Sequence, residues 1–181
     1  MIRSFGGITP QIAPTAYIDE TAALIGDIVI GEHTSVWPYV VIRADVHYIR
    51  IGSQVNIQDS CVLHVEKGLY PLIVGDRVGV GHQAILHGCR IASRCLIGMG
   101  AILLNDVQVG EGSIVAAGTV VPEHTVIPPG SLFLGVPGKL RRQLTERDFE
   151  RIDWNIRAYV ELKEQYLAER RSAGISSEPR P

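Results

Sequence analysis

Aliphatic residues recur at every sixth position along most of this chain, and no other feature restricts its fold so strongly. The series runs Ile12, Ile18, Leu24, Ile30, Val36 and Ile42, then slips by three to Ile51, Ile57 and Leu63. It resumes after an insertion at Val74, Val80 and Leu86. One residue is then lost, and Ile91, Ile97, Leu103, Val109, Val115, Val121, Ile127 and Phe133 follow. Twenty registered positions over about 120 residues exclude chance. The position four after most repeat residues is small or β-branched, as at Ala16, Ala22, Thr34, Val40, Val46, Val55, Cys61, Val78, Ala84, Cys95, Ala101 and Thr125. A large residue alternating with a small one at fixed spacing suits a narrow, stacked interior. Gly31, Gly52, Gly75, Gly81, Gly98 and Gly110 directly follow their repeat residue, where a corner is expected to need a permissive backbone. The period predicts a solenoid of short parallel strands, three six-residue sides per coil and about seven coils. Neighbouring coils stack at about the 4.8 Å strand spacing, because no coil buries its own interior alone.

The composition divides the chain once. Residues 1–143 hold 18 of the 19 glycines, whereas residues 144–181 pack 15 of the 36 charged side chains into 38 positions. The first stretch is the solenoid domain. The second, 144–171, opens on the capping box Thr145-Glu146-Arg147-Asp148 and carries Phe149, Ile152, Ile156, Tyr159 or Val160, and Tyr166 or Leu167 at helical spacing. It is expected to be a helix lying on the solenoid wall or on a neighbouring subunit. Residues 172–181 read as a flexible tail. A net charge of −2 argues against a nucleic-acid surface, and the chain has no apolar run of the length that crosses a membrane. Three cysteines cannot all pair, so a cytoplasmic protein with reduced thiols is expected. Cys61 and Cys95 fall on the small inward position and read as buried structural thiols; Cys89 is off register and unassigned.

The repeat also fixes where histidines point. His64 follows Leu63 and His87 follows Leu86, one full coil later, so both imidazoles lie outward on one wall, one rung apart. Two imidazoles so placed can converge on one metal. His82 lies on the preceding side, up to about 16 Å of extended chain from His87. It is expected to reach the same ion from a neighbouring subunit of a closed ring, and three faces suggest a trimer. Three protein ligands leave one position open, as in catalytic rather than structural zinc sites. His33, His47 and His124 lie near corners on polar stretches and read as solvated. Arg43, Asp45, Asn56, Gln58 and Asp59 cluster around the same wall, where an interface ion pair and a functional role are both compatible with the pattern.

Arg43-x-Asp45, Asn56-x-Gln58-Asp59, His64 and Gly81-His82-x4-His87 together resemble the γ-class carbonic anhydrases, over roughly residues 10–170. The resemblance implies a left-handed parallel β-helix and a homotrimer with one Zn2+ or Fe2+ at each subunit interface. His64 and His87 would come from one chain and His82 from the next. It further implies that Gln58 hydrogen-bonds the metal-bound water, Asn56 supports the pocket, and Arg43 pairs with Asp59 or Asp45 across the interface. Tyr159 would correspond to an active-site tyrosine. The implied reaction is reversible hydration of CO2 to bicarbonate, with metal-bound hydroxide as the nucleophile. The sequence departs from the family's active members at the proton-release step. Val46 stands where they carry a glutamate, and Glu66 is the one acid in the insertion after His64. Turnover is therefore expected to be slow. Three other functions match parts of the pattern: hydrolysis of a small thioester at the same metal, a non-catalytic metal-binding scaffold, and hexapeptide acyl transfer. The last needs one basic histidine and no metal, so three grouped histidines count against it.

Overall fold

The structure is a computed structural model, and it describes residues 1–173. The six-residue period folds as expected, into a parallel β-solenoid of about seven turns with one C-terminal helix. Three walls are stacked from short strands. The histidine wall pairs Val41–Ala44 of the long strand Val41–Ile51 with Val62–His64, Ile85–His87, Ile102–Leu103 and Val120–Val121. A second wall stacks Ile49–Ile51 with Leu72–Val74, Arg90–Ile91, Gln108–Val109 and Val126–Ile127. The third stacks Tyr17–Ile18, Ser35–Val36, Asn56–Ile57, Gly79–Val80, Leu96–Ile97, Ile114–Val115 and Ser131–Gly135, and the hairpin strand Gly138–Gln143 closes it antiparallel.

Eighteen of the twenty repeat positions are buried; Ile12 and Ile18, in the first coil, are half-buried. The small inward positions are buried too, with three exceptions. Ala16 and Thr125 are half-buried, and Val46 lies in the irregular stretch where the repeat slips and faces outward. Cys61, Cys89 and Cys95 are all interior, which assigns Cys89 to the core.

The glycines that follow a repeat residue serve a different purpose from the one expected of them. None has positive φ. Left-handed backbone occurs two residues later, at His33, Gln54, Arg77 and Gln83 and at Gly100 and Gly112. The glycines are needed because adjacent coils touch. A Cβ on Gly98 would lie 2.3 Å from the backbone nitrogen of Ala117, and one on Gly81 2.7 Å from that of Met99.

The helix spans Glu146–Ser172, two residues inside the expected start and one past the expected end. Residues 174–181, most of the expected tail, lie outside the described residues. Asp148 closes the capping box by accepting from the Thr145 backbone N–H at 2.8 Å and from its hydroxyl at 2.7 Å. Ile152 and Ile156 are buried against Ile114, Leu96 and Leu132 of the third wall. Asp153 ties the helix to the solenoid through Arg77 (2.7 Å) and Arg94 (2.7 Å). Tyr159 and Tyr166 pack edge-on against Trp37. Lys163 is buried on the same face. No helix among the described residues is long and apolar enough to cross a membrane.

Candidate metal centre

Strand pairing places His64 directly opposite His87, with Leu63 opposite Leu86 beneath them in the core. Because side chains alternate across a strand, burying the leucines turns both imidazoles outward. Nδ1 of His64 lies 3.1 Å from Nε2 of His87. Each ring's other nitrogen is taken. His64 Nε2 is 3.2 Å from Asp45 Oδ1, and His87 Nδ1 is 2.8 Å from Asn105 Oδ1. Both partners are oxygens that accept, so each of those nitrogens carries a proton, and in the neutral rings the two nitrogens facing one another hold lone pairs. Two lone pairs 3.1 Å apart leave room for a cation between the rings. Nitrogens bound tetrahedrally to zinc at 2.0–2.1 Å stand about 3.3 Å apart, so this donor pair fits such an ion.

Asp45 is held in turn by Arg43, whose guanidinium donates to Oδ2 at 2.6 Å. Burial alone would raise the Asp45 pKa, but hydrogen bonds from Arg43 and His64 outweigh it and hold the carboxyl below its usual range. Burial, with the Arg43 charge added, pushes His64 below the usual imidazole range and favours the neutral ring. The Arg43–Asp45 pair forms within one chain, and Asp59 is engaged elsewhere.

His82 sits in the turn after Gly79–Val80, at the edge where the third wall passes into the histidine wall; His87 lies at the other end of that side. Its Nδ1 is 2.7 Å from Asp59 Oδ2, leaving Nε2 directed away from that partner. Both side chains are exposed, 40% for His82 and 44% for Asp59. Among the described residues of one chain, no three His, Cys, Asp or Glu side chains come together closely enough to hold a metal.

The amides lie on the third wall beside that turn. Asn56 and Gln58 are 1% and 4% exposed. Gln58 donates to Asn56 Oδ1 at 2.9 Å, and Asn56 donates to Asn155 Oδ1 on the helix at 3.1 Å. Gly79 makes space for the last contact, since a Cβ there would lie 2.3 Å from Asn155 Oδ1. Tyr159 is near enough to Asp59 to feel its charge; burial first, then Asp59 and Cys61, raise its hydroxyl pKa and keep it neutral. Glu66 opens the insertion after His64, bridged to Tyr70 by main-chain pairing, with its carboxylate 3.4 Å from Asn105 Nδ2. His33 and His124 are exposed corner residues, as expected, and His47 accepts from its neighbour's backbone N–H.

Two polar residues that hold this arrangement were not anticipated. Asn105 lies two after Leu103, one coil beyond His87, where an outward asparagine is indistinguishable from any solvated one. Asn155 is 99 residues from Asn56 and on a helix, outside the reach of the repeat.

The family model for the bacterial transferase hexapeptide (six repeats) matches residues 88–123. A carbonic anhydrase of Geobacillus kaustophilus is 46% identical over 168 residues, covering 93% of this chain and 92% of that one. The mitochondrial gamma carbonic anhydrase 2 of Arabidopsis thaliana is 37% identical, covering 89% of this chain and 60% of that protein. A solved Bacillus cereus structure described as a candidate acetyltransferase superposes with a TM-score of 0.90 at 42% identity, covering 92% of this chain and 96% of that one.

Proposed function

The chain belongs to the γ-carbonic-anhydrase-like family of hexapeptide-repeat proteins, and from that membership we propose that it is a metal-dependent enzyme that interconverts CO2 and bicarbonate. One observation carries the proposal: each of the three histidines has one ring nitrogen committed to an oxygen acceptor, and the remaining nitrogens of His64 and His87 converge to 3.1 Å. The committed partners are Asp45, Asp59 and Asn105. Such outer partners orient metal-binding imidazoles. His64 Nδ1 and His87 Nε2 would hold the ion from one chain, and His82 Nε2 from the next. A bound Zn2+ or Fe2+ supplies a water acidic enough to attack CO2 near neutral pH.

The chain's own residues do the rest. The Gln58 amide, fixed through Asn56, presents a carbonyl oxygen that orients an attacking O–H. Arg43 keeps Asp45 ionised, and Asp45 keeps the proton on His64 Nε2. The trimer is supported by Val62 and Ile85, which face outward beside the histidines and are 40% and 37% exposed in a single chain. Sedimentation should give three times the 19.8 kDa chain mass. Protein purified without oxygen should carry one metal per chain and hydrate CO2 in a stopped-flow assay. Metal-free protein with no hydration activity after reloading would reject the proposal. The B. cereus description favours acyl transfer as a second reading; acetyl-CoA turnover without metal would establish it instead.

A further inference from the structure

The Asn105 side chain lies between a histidine and two carboxylates. Its Oδ1 is 2.8 Å from Nδ1 of His87, while its Nδ2 is 3.2 Å from Glu123 Oε1 and 3.4 Å from Glu66 Oε2. Carboxylates only accept, so the end of the amide facing two of them is the NH2 end. The carbonyl is thereby turned toward His87. A carbonyl oxygen also only accepts, so His87 Nδ1 must carry a proton, and in the neutral ring that leaves the lone pair on Nε2. The backbone leaves a slot for this contact, because a Cβ on Gly88 would lie 2.4 Å from Asn105 Oδ1. The three polar side chains come from different coils: Glu66 from the insertion after His64, Asn105 from the coil after His87, and Glu123 from the coil beyond.

Building on the metal site proposed above, we propose that Asn105 is a positioning residue that sets the tautomer of His87 and reserves Nε2 for the metal, while Glu66 and Glu123 set the direction of the Asn105 amide. Without Asn105, the protonated Nδ1 loses its acceptor. His87 then divides between its two tautomers, and the Nε2–H form cannot bind metal. Loss of an outer partner of this kind lowers metal affinity by about 10–100-fold.

The test uses full-length protein with 15N-labelled histidine. Long-range 1H–15N spectra of metal-free protein should show His87 as the Nδ1–H tautomer. Asn105→Leu, close in shape but without an acceptor, should shift His87 toward Nε2–H and weaken Zn2+ binding by about 10–100-fold in a chelator competition. Asn105→Asp combined with Glu123→Gln keeps an acceptor toward His87 and places a donor behind it. That double variant should recover the parent tautomer and most of the Zn2+ affinity, which separates positioning from general damage to the fold. The proposal is overturned if the parent His87 is Nε2–H, if Asn105→Leu keeps the parent tautomer and affinity, or if the double variant is as impaired as Asn105→Leu. Neither readout involves CO2. A protein that binds Zn2+ through the His87 Nδ1–H tautomer and does not hydrate CO2 would remove the enzymatic reading and leave this one standing.

Discussion

Leu86 and His87 are neighbours in the chain, yet they belong to two regions governed by different physics. The interior face of the solenoid is uniform: aliphatic side chains stacked coil on coil, with Leu63 and Leu86 fully buried and three thiols sealed among them. The outward face of the same wall is specified residue by residue, through directed contacts such as Asp45–His64 and Asn105–His87. Replacing one interior aliphatic residue by another alters packing by degrees. Replacing one outward acceptor changes which nitrogen of an imidazole is free. The interior therefore carries stability and the outward face carries chemistry, and this division is open to experiment.

The largest expected effect falls on the interior. Leu86→Ala should cost about 2–5 kcal/mol in denaturant unfolding of the metal-free protein. His87→Ala, one residue away, should cost under about 1 kcal/mol and remove bound metal. Comparable losses for both would erase the distinction. Next come the thiols. Burial pushes Cys61 and Cys89 up to about 12 and Cys95 up to about 11. Labelling of the folded protein by a disulfide reagent at pH 8 should run at least about a hundredfold slower than in denaturant, where all three react. A fast thiol in folded protein would mean that the stack is open.

On the outward face, Val46 is 38% exposed and next to Asp45. Val46→Glu should raise turnover in weak buffer, by less than the roughly 10²-fold of a well-placed acid–base group, and should leave the second-order rate at low CO2 unchanged. The smallest effect belongs to the helix start. The Arg142 guanidinium, then the Thr145 N–H, hold Asp148 well below the usual carboxylate range. A depressed folded pKa contributes stability above the unfolded value near 3.9, and that contribution fades as pH falls below it. Asp148→Asn should therefore cost about 1 kcal/mol at pH 7, with the difference from the parent shrinking below about pH 4.

Much of this was legible in the residue order, because a six-residue period dictates both burial and pairing. It placed Leu63 under Leu86 and His64 beside His87, and it put His82 on a different edge. Where it failed, the cause was contact between coils or between elements. The glycines after the repeat residues look like flexible corners in sequence, but they are sites of close approach between stacked backbones. Left-handed backbone falls on His33 and Gln83 instead, residues with no sequence mark of it. Asn155 reaches Asn56 from a helix packed across the third wall, and the direction of the Asn105 amide depends on Glu123, a coil further on. Periodicity describes a stack; it does not describe a hydrogen bond between its members.

A metal site shared between subunits is tested most directly by complementation. His82→Ala chains keep His64 and His87, and His87→Ala chains keep His82. Each variant alone should form trimers that bind no metal tightly. Trimers assembled from both should contain one interface with His64 and His87 on one side and His82 on the other, and so one tightly bound Zn2+ per mixed trimer. Mixed trimers that bind none, or His82→Ala trimers that keep the parent's full metal content, would contradict a site completed by the neighbouring chain.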